Sequence, residues 1–336
     1  MQKINIKKTL PRKLKWGVAG CGYFLENTFL PALQHLKKSK LISVYSSNKT
    51  RAEFIKQKFI AENSFDDYQA FLQSNIDAVY ISSKNSDHYM QVIQAAKAGK
   101  HILCEKPLSV TLAEAKEMVK ICNKNNVILT LNYSMRHHPV IKKTKEFIDN
   151  HYLGKIVSVT ANFNIDFKPN DNFRYRLNAS GGGPLRDLGT HLIDLFRYLG
   201  GDVEPICGVQ DNIIYTSEVS DFFAAVFKFN SGGYGIINVS YNVSNPVNRI
   251  EILGHNGTIV IDKLIGQKTS PAKLIIDFQN EGKKAFRRRA NKQLFLLRDV
   301  QKAFLKNSSP LITAEDGLAN MRLMTELERG RWNKIL

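Results

Sequence analysis

The sequence predicts an α/β protein with two domains: a doubly wound parallel sheet over residues 14–134, then an α/β domain with an open, mainly antiparallel sheet over 135–336. Three observations predict this. Short apolar runs alternate with helical segments of about ten or more residues as far as Leu131, the rhythm of parallel βαβ units. The first apolar run ends on Gly20-Cys21-Gly22, and a helical pattern follows at once. Beyond about Arg136, strand-like runs follow one another directly, the rhythm of an antiparallel sheet.

In chain order, 14–19 reads as a buried strand running into the glycine turn and a helical segment through Leu36. Residues 42–45 form a second strand and 50–58 a helix charged on one face. Residues 78–82, 101–104 and 127–131 are three more strands, separated by helices at 87–98, stopped by Gly99, and 112–123. The later strands fall at 156–167, 206–215, 222–229, 235–243, 249–253, 258–262 and 273–278. Ser231-Gly232-Gly233 and Asn256-Gly257 have hairpin composition, the second that of a type I′ turn. Helices at 291–306 and 315–329 close the chain.

Residues 183–200 organise the second half. Gly181, Gly182, Gly183 and Pro184 launch an amphipathic helix that Gly200 is placed to end. Leu188, Leu192, Leu195 and Leu199 recur at helical spacing and face a core. Asp187, His191 and Asp194 recur on the same period as a separate polar ridge, with Asp187 and His191 one turn apart and able to touch. A carboxylate beside an imidazole is an acid/base pair, because histidine titrates near neutrality and the acid orients it. No cysteine or further histidine lies at ligand spacing, so no metal is expected.

Gly20-x-Gly22, after a strand and before a helix, has the context of a dinucleotide loop: the first glycine turns the chain and the second admits a pyrophosphate to the backbone. The third position of that fingerprint is Leu25 rather than glycine, so the motif is partial. At the end of the second strand, Tyr45-Ser46-Ser47-Asn48-Lys49-Thr50-Arg51 carries no acid before Glu53. Hydroxyls, an amide and two cations there suit a ribose 2′-phosphate, so NADP(H) is favoured over NAD(H). Glu105-Lys106-Pro107 follows the strand at 101–104, which places Lys106 where open α/β sheets bind ligands and where it can steady a substrate oxygen. A cis Lys106–Pro107 bond is compatible with that turn.

Composition bounds the rest. The 336 residues are 43% hydrophobic and 23% charged, ordinary for a globular chain, and no apolar run reaches membrane-spanning length. Cys21, Cys104, Cys122 and Cys207 are scattered without paired spacing, and residues 1–15 hold no secretory apolar stretch; the expectation is a cytoplasmic protein with reduced thiols. Much of the net charge of +18 is spread over helices as single lysines, and two clusters stand out, at 7–15 and 283–292. Neither cluster stands on a recognisable nucleic-acid module, so nucleic acid is not the expected partner, and the field suits an anionic substrate.

Taken together, Gly20-Cys21-Gly22 with Pro31-Ala32-Leu33, Asp77-Ala78-Val79-Tyr80-Ile81, Ala98-Gly99-Lys100-His101, Glu105-Lys106-Pro107, Arg136-x-x-Pro139, and Gly181-Gly182-Gly183-x-x-x-Asp187-x-Gly189-x-His191-x-x-Asp194 carry a resemblance. From Trp16 to about Leu327 the chain resembles the glucose–fructose oxidoreductase / inositol dehydrogenase / rhizopine-catabolism (Gfo/Idh/MocA) family. The resemblance implies a Rossmann domain and a C-terminal domain whose open sheet face makes homodimers or homotetramers. It places the family's lysine on Lys106, its substrate carboxylate on Asp187 and its acid/base histidine on His191. Substrate contacts would come from Tyr133, Arg136 and Asp187, and, by the composition of the loop 164–180, from Arg174, which with Arg176 suits a phosphate or nucleotide. The cofactor would lie against Gly20, Gly22, Tyr23 and Phe24, then Ser46, Ser47, Asn48 and Arg51. Ser83, Asn85, His88, Glu105 and Lys106 would complete its site. The chain departs from the family pattern at Leu25, at Ser46-Ser47 and at Lys84. The implied activity is hydride transfer between NAD(P) and a secondary alcohol or ketone of a sugar, cyclitol or nucleotide-linked sugar. A cofactor-sensing regulator and an NAD-dependent glycosidase on the same fold are the other readings.

Overall fold

The computed structural model describes residues 12–265, 271–279 and 281–330. β1 (Leu14–Ala19) leads through the glycine turn into a helical stretch that opens with a π turn at Leu25–Phe29 and continues as α1 (Leu30–Gln34). Then follow β2 (Ser39–Tyr45), α2 (Lys49–Phe59), β3 (Asn63–Phe65), α3 (Tyr68–Gln73), β4 (Ala78–Ile81), α4 (Asn85–Lys97), β5 (His101–Cys104), α5 (Leu112–Lys124) and β6 (Leu129–Leu131). The six strands are all parallel, in the order β3-β2-β1-β4-β5-β6. Strand order therefore reverses between β1 and β4, and ligands of such sheets bind outside the carboxyl ends at that point. The pattern reading gave five strands here, because β3 and α3 are too short to show a period.

Side-chain caps fix where the helices begin. Asn48, Asp67 and Thr111 each accept the backbone N–H three residues on, and Glu114 returns the bond to Thr111 as a capping box. Beneath the sheet Trp16, Phe29 and Tyr80 pack together, with the Phe29 and Tyr80 rings stacked at 3.6 Å.

A 3-10 turn at Ser134–His137 starts the second half. It continues through α6 (Pro139–Asp149), β7 (Ile156–Asn164), α7 (Leu177–Ser180), a π turn at Leu185–Gly189, α8 (Thr190–Gly200) and β8 (Val203–Asp211). β9 (Phe222–Phe229), β10 (Tyr234–Ser240), β11 (Arg249–Gly254), β12 (Gly257–Asp262), β13 (Ala272–Phe278) and β14 (Gly282–Arg288) follow, then α9 (Lys292–Lys306) and α10 (Ala314–Arg329). The eight strands run β14-β13-β12-β11-β7-β10-β9-β8, antiparallel throughout except β7 with β10. Leu192, Leu195, Leu199 and Phe196 of α8 are buried, and Phe196 packs on Phe227 and Phe229 of the sheet.

Several sequence expectations shift. Helix α8 ends on Gly200, but the left-handed residue that stops it is Gly201, at φ +88°. The strand expected at 206–215 lies at Val203–Asp211, because Ile213, Ile214 and Tyr215 donate their backbone N–H groups to the Asp221 carboxylate instead of a ladder. At the β11–β12 hairpin, Gly254 pairs with Gly257, so the turn residues are His255 and Asn256, and neither has the positive φ of a type I′ turn. Gly257 is needed for space instead: a Cβ there would sit 2.6 Å from the Asp277 carbonyl. The basic run 283–288 forms the exposed edge strand β14, where cations discourage edge-to-edge pairing. Of the other basic cluster, Lys7 and Lys8 lie outside the described residues, while Arg12 pairs with Asp77 and Lys15 donates to Asn75.

The closing helices return to the first sheet. On α9, Phe304 packs on Trp16 and His101, and Gln301 donates to Ser39 at 2.6 Å. Gly317 of α10 sits against Leu131 and Leu108. A boundary at 134 thus assigns to the second domain two helices whose apolar stripes help cover the first.

Candidate active site

The turn after β1 and the turn after β4 are built against each other. Gly20 has φ +91°, and a Cβ on it would lie 2.4 Å from the Ser83 backbone nitrogen, so the position excludes side chains. Ser82 locks the pair, its N–H donating to Ala19 O at 2.8 Å and its hydroxyl to Gly20 O at 2.8 Å. Gly22 is the opposite case: a Cβ there would meet nothing within 4 Å. Bare backbone facing open space at the head of a helical stretch is what a pyrophosphate requires, so this loop fits a dinucleotide.

The other expected cofactor residues differ in exposure. Tyr23, Phe24, Ser47 and Asn48 are exposed beside the loop. Ser46 Oγ accepts from Asn48 N, and Arg51 Nε donates to Cys21 O at 2.9 Å, which ties α2 to the glycine turn. Ser83 donates to Gln91 at 2.6 Å. Two further expected cofactor residues are buried. Asn85 donates to the Ser180 carbonyl at 2.9 Å, joining α4 to α7. His88 is fully buried with Nδ1 3.0 Å from Pro107 O, and burial lowers its pKa. His88 therefore supports the turn that carries Lys106, whose bond to Pro107 is cis. Glu105 accepts from Tyr80 and Asn132, and burial raises its carboxyl above the usual range.

Lys106 reaches across to the second half of the chain. Its Nζ donates to Asp187 Oδ1 and to the Asp187 backbone carbonyl, both at 2.6 Å. The second carboxylate oxygen accepts from Arg174 Nε and from the Tyr241 hydroxyl, each at 3.1 Å. Burial by itself would raise the Asp187 carboxyl, but the cations of Lys106 and then Arg174 outweigh it and hold it well below the usual carboxylate range. The same carboxylate raises the pKa of Arg174, while burial, then Asp187, raises that of Tyr241. Tyr241 was not singled out in the sequence. Its only signal is parity, since it continues the inward alternation of Ile237 and Val239 past the end of β10.

His191 stands beside this cluster without joining its hydrogen bonds, and its Nδ1 is buried without a partner. No hydrogen bond joins Asp187 to His191, although the carboxylate's charge acts on the imidazole. Asp187 lies in the π turn at Leu185–Gly189, ahead of α8. Asp187 faces Lys106 instead. Burial first, then the positive charges of Lys106 and Lys292, push the imidazole pKa well below its ordinary value, so His191 is neutral near neutrality. Tyr133 is buried edge-on to the imidazole at 6.1 Å and hydrogen-bonds Thr190 at 2.8 Å.

Arg136 does not face this space. It is buried, with Nε and Nη2 on Asp194 at 2.9 and 2.7 Å and two further bonds to Asp316 at 3.2 and 3.1 Å. The expected substrate contact is replaced by an interior clamp joining the 3-10 turn to α8 and α10. Asp194 leaves the polar ridge for the same reason. Among the described residues, no group of three or more His, Cys, Asp or Glu side chains could hold a metal ion, and no helix is long and apolar enough to cross a membrane.

Comparison with known proteins bears on the fold and the family. Residues 14–133 match a family model described as an oxidoreductase family with an NAD-binding Rossmann fold, and residues 141–260 match the GFO/IDH/MocA C-terminal domain. The chain is 31% identical over 256 residues to Oxidoreductase P35 of Formosa agariphila, covering 74% of this chain and 78% of that one. It is 28% identical over 254 residues to a dTDP-3,4-didehydro-2,6-dideoxy-alpha-D-glucose 3-reductase of Saccharopolyspora spinosa, covering 75% of each. KijD10, a 3-ketoreductase from Actinomadura kijaniata solved with NADP and TDP-benzene, superposes with a TM-score of 0.86 at 24% identity, over 95% of this chain and 98% of that one. The chain belongs to the Gfo/Idh/MocA family of NAD-binding oxidoreductases.

Proposed function

We propose that this oxidoreductase interconverts a secondary alcohol and a ketone on a sugar, cyclitol or nucleotide-linked sugar, with NADP(H) favoured over NAD(H). The observation that carries the reading is the meeting of Lys106 and Asp187 at 2.6 Å beside a neutral imidazole with an unpartnered ring nitrogen. In the oxidative direction His191 accepts the substrate hydroxyl proton. Lys106 donates a hydrogen bond to the same oxygen and steadies its charge as the proton leaves. Asp187 stays ionised and anchors the ammonium, and Arg174 and Tyr241 orient neighbouring hydroxyls or an anionic group of the substrate. In the reductive direction His191 returns the proton. The bound nicotinamide supplies the hydride acceptor in one direction and the hydride in the other. The backbone of Gly20 to Gly22 would hold its pyrophosphate, and Ser46, Ser47, Asn48 and Arg51 its adenosine ribose.

Support for NADP(H) is the absence of an acid between Tyr45 and Arg51. A homodimer or homotetramer through the outer face of the C-terminal sheet is supported by Tyr234, Ile236, Val209 and Leu253, all exposed there. Residence in the reducing cytoplasm is supported by four free cysteines, three of them buried. The test is fluorescence titration with NADPH and NADH, followed by turnover on a panel of polyols, sugars and sugar nucleotides. Tighter NADPH binding with net cofactor turnover supports the reading, and tighter NADH binding overturns the preference. Glycoside cleavage with no net cofactor turnover favours a redox-neutral elimination instead.

A further inference from the structure

The cations that would meet a 2′-phosphate already hold an acid. Glu26, in the π turn that follows the glycine loop, pairs through one carboxylate oxygen with Arg51 Nη2 and through the other with Lys58 Nζ at 2.5 Å. Its side chain is only 14% exposed, so the acid is tucked beneath the two cations. The same Arg51 donates Nε to Cys21 O in the loop, and its guanidinium lies 5.0 Å from the Phe54 ring centre. Lys58 and then Arg51 hold the Glu26 carboxyl below the usual range. Glu53, the next acid in the sequence, turns away to Ser64, Lys56 and Gln57. The acid at this end of the site therefore comes from the first helical stretch, where the β2–α2 sequence gives no hint of it.

We propose that Glu26 is an internal counter-anion which a 2′-phosphate must displace from Arg51, and that it thereby sets the balance between NADPH and NADH. The inference rests on the NAD(P)-binding reading above, and does not depend on which cofactor wins. With Arg51 neutralised, a 2′-hydroxyl ribose can bind without leaving a cation unpaired. A 2′-phosphate must share the guanidinium with a carboxylate of like charge, which lowers its advantage. Lys49 makes no ion pair among the described residues and stays available to either ligand.

The experiment is fluorescence titration of the full chain with NADPH and with NADH in four forms: wild type, Glu26→Gln, Arg51→Met and the double variant. Glu26→Gln is expected to tighten NADPH by about tenfold and to change NADH by less than about twofold. Arg51→Met is expected to weaken NADPH and to abolish the effect of Glu26→Gln in the double variant. An unchanged ratio of the two Kd values in Glu26→Gln overturns the inference. Weaker binding of both cofactors also overturns it, by showing that the acid only supports the loop. A wild type that prefers NADH overturns the cofactor preference proposed above, and the shift of the ratio in Glu26→Gln still decides the present inference.

Discussion

The ammonium of Lys106 lies 2.6 Å from the carboxylate of Asp187, across 81 residues of chain. This bond joins the end of β5 to the head of α8, so one contact sets the distance between the two halves of the site. It also puts a positive charge beside His191, which adds to burial in lowering the imidazole pKa and leaving a neutral base.

Removing either partner of the proton transfer should stop chemistry without emptying the cofactor site. Lys106→Ala and His191→Ala are each expected to lower kcat by a factor on the order of 10² or more. The Kd for NADPH should stay within about threefold of wild type, since neither change touches the glycine loop. Full turnover in both variants contradicts the assignments.

Arg136 should behave as a structural residue. Arg136→Ala leaves Asp194 buried without its cation and is expected to cost about 3–5 kcal/mol in unfolding free energy, read by urea denaturation. A variant with native stability and a raised KM would restore a direct role on substrate.

His138 gives a pH test of stability. Burial lowers its pKa from 6.5 to about 4, while its Nδ1 accepts the Val140 N–H that begins α6. The unfolded chain binds the proton first, so this contribution is intact above pH 6.5 and is lost as the pH falls from there towards about 4. His138→Asn keeps a capping acceptor and removes the titration. It is expected to lose about 1.4 kcal/mol less per pH unit across that window, measured by urea midpoints. Parallel pH profiles in both proteins contradict the assignment.

The sequence carried those features whose cause is local. Gly20-x-Gly22 after a strand, Lys106 after β5 and the leucine stripe of α8 each follow from neighbours in the chain, and each stands where expected. Features decided by distant partners were not legible. Arg136 looks like a pocket arginine until Asp316, 180 residues away, closes on it. The π turn has no composition of its own, and the partner that Asp187 takes there, Lys106, lies 81 residues away. Tyr241 and Glu26 gain their meaning only from partners on other elements.

Lys106 and His191 share one electrostatic site. Carbon-13 NMR of labelled histidine rings, with His191 assigned by its loss in His191→Asn, measures this directly through titration of wild type and Lys106→Met. His191 is expected to titrate well below 6.5 in wild type and to move up towards it when the ammonium is removed. An identical titration in the two proteins would contradict it.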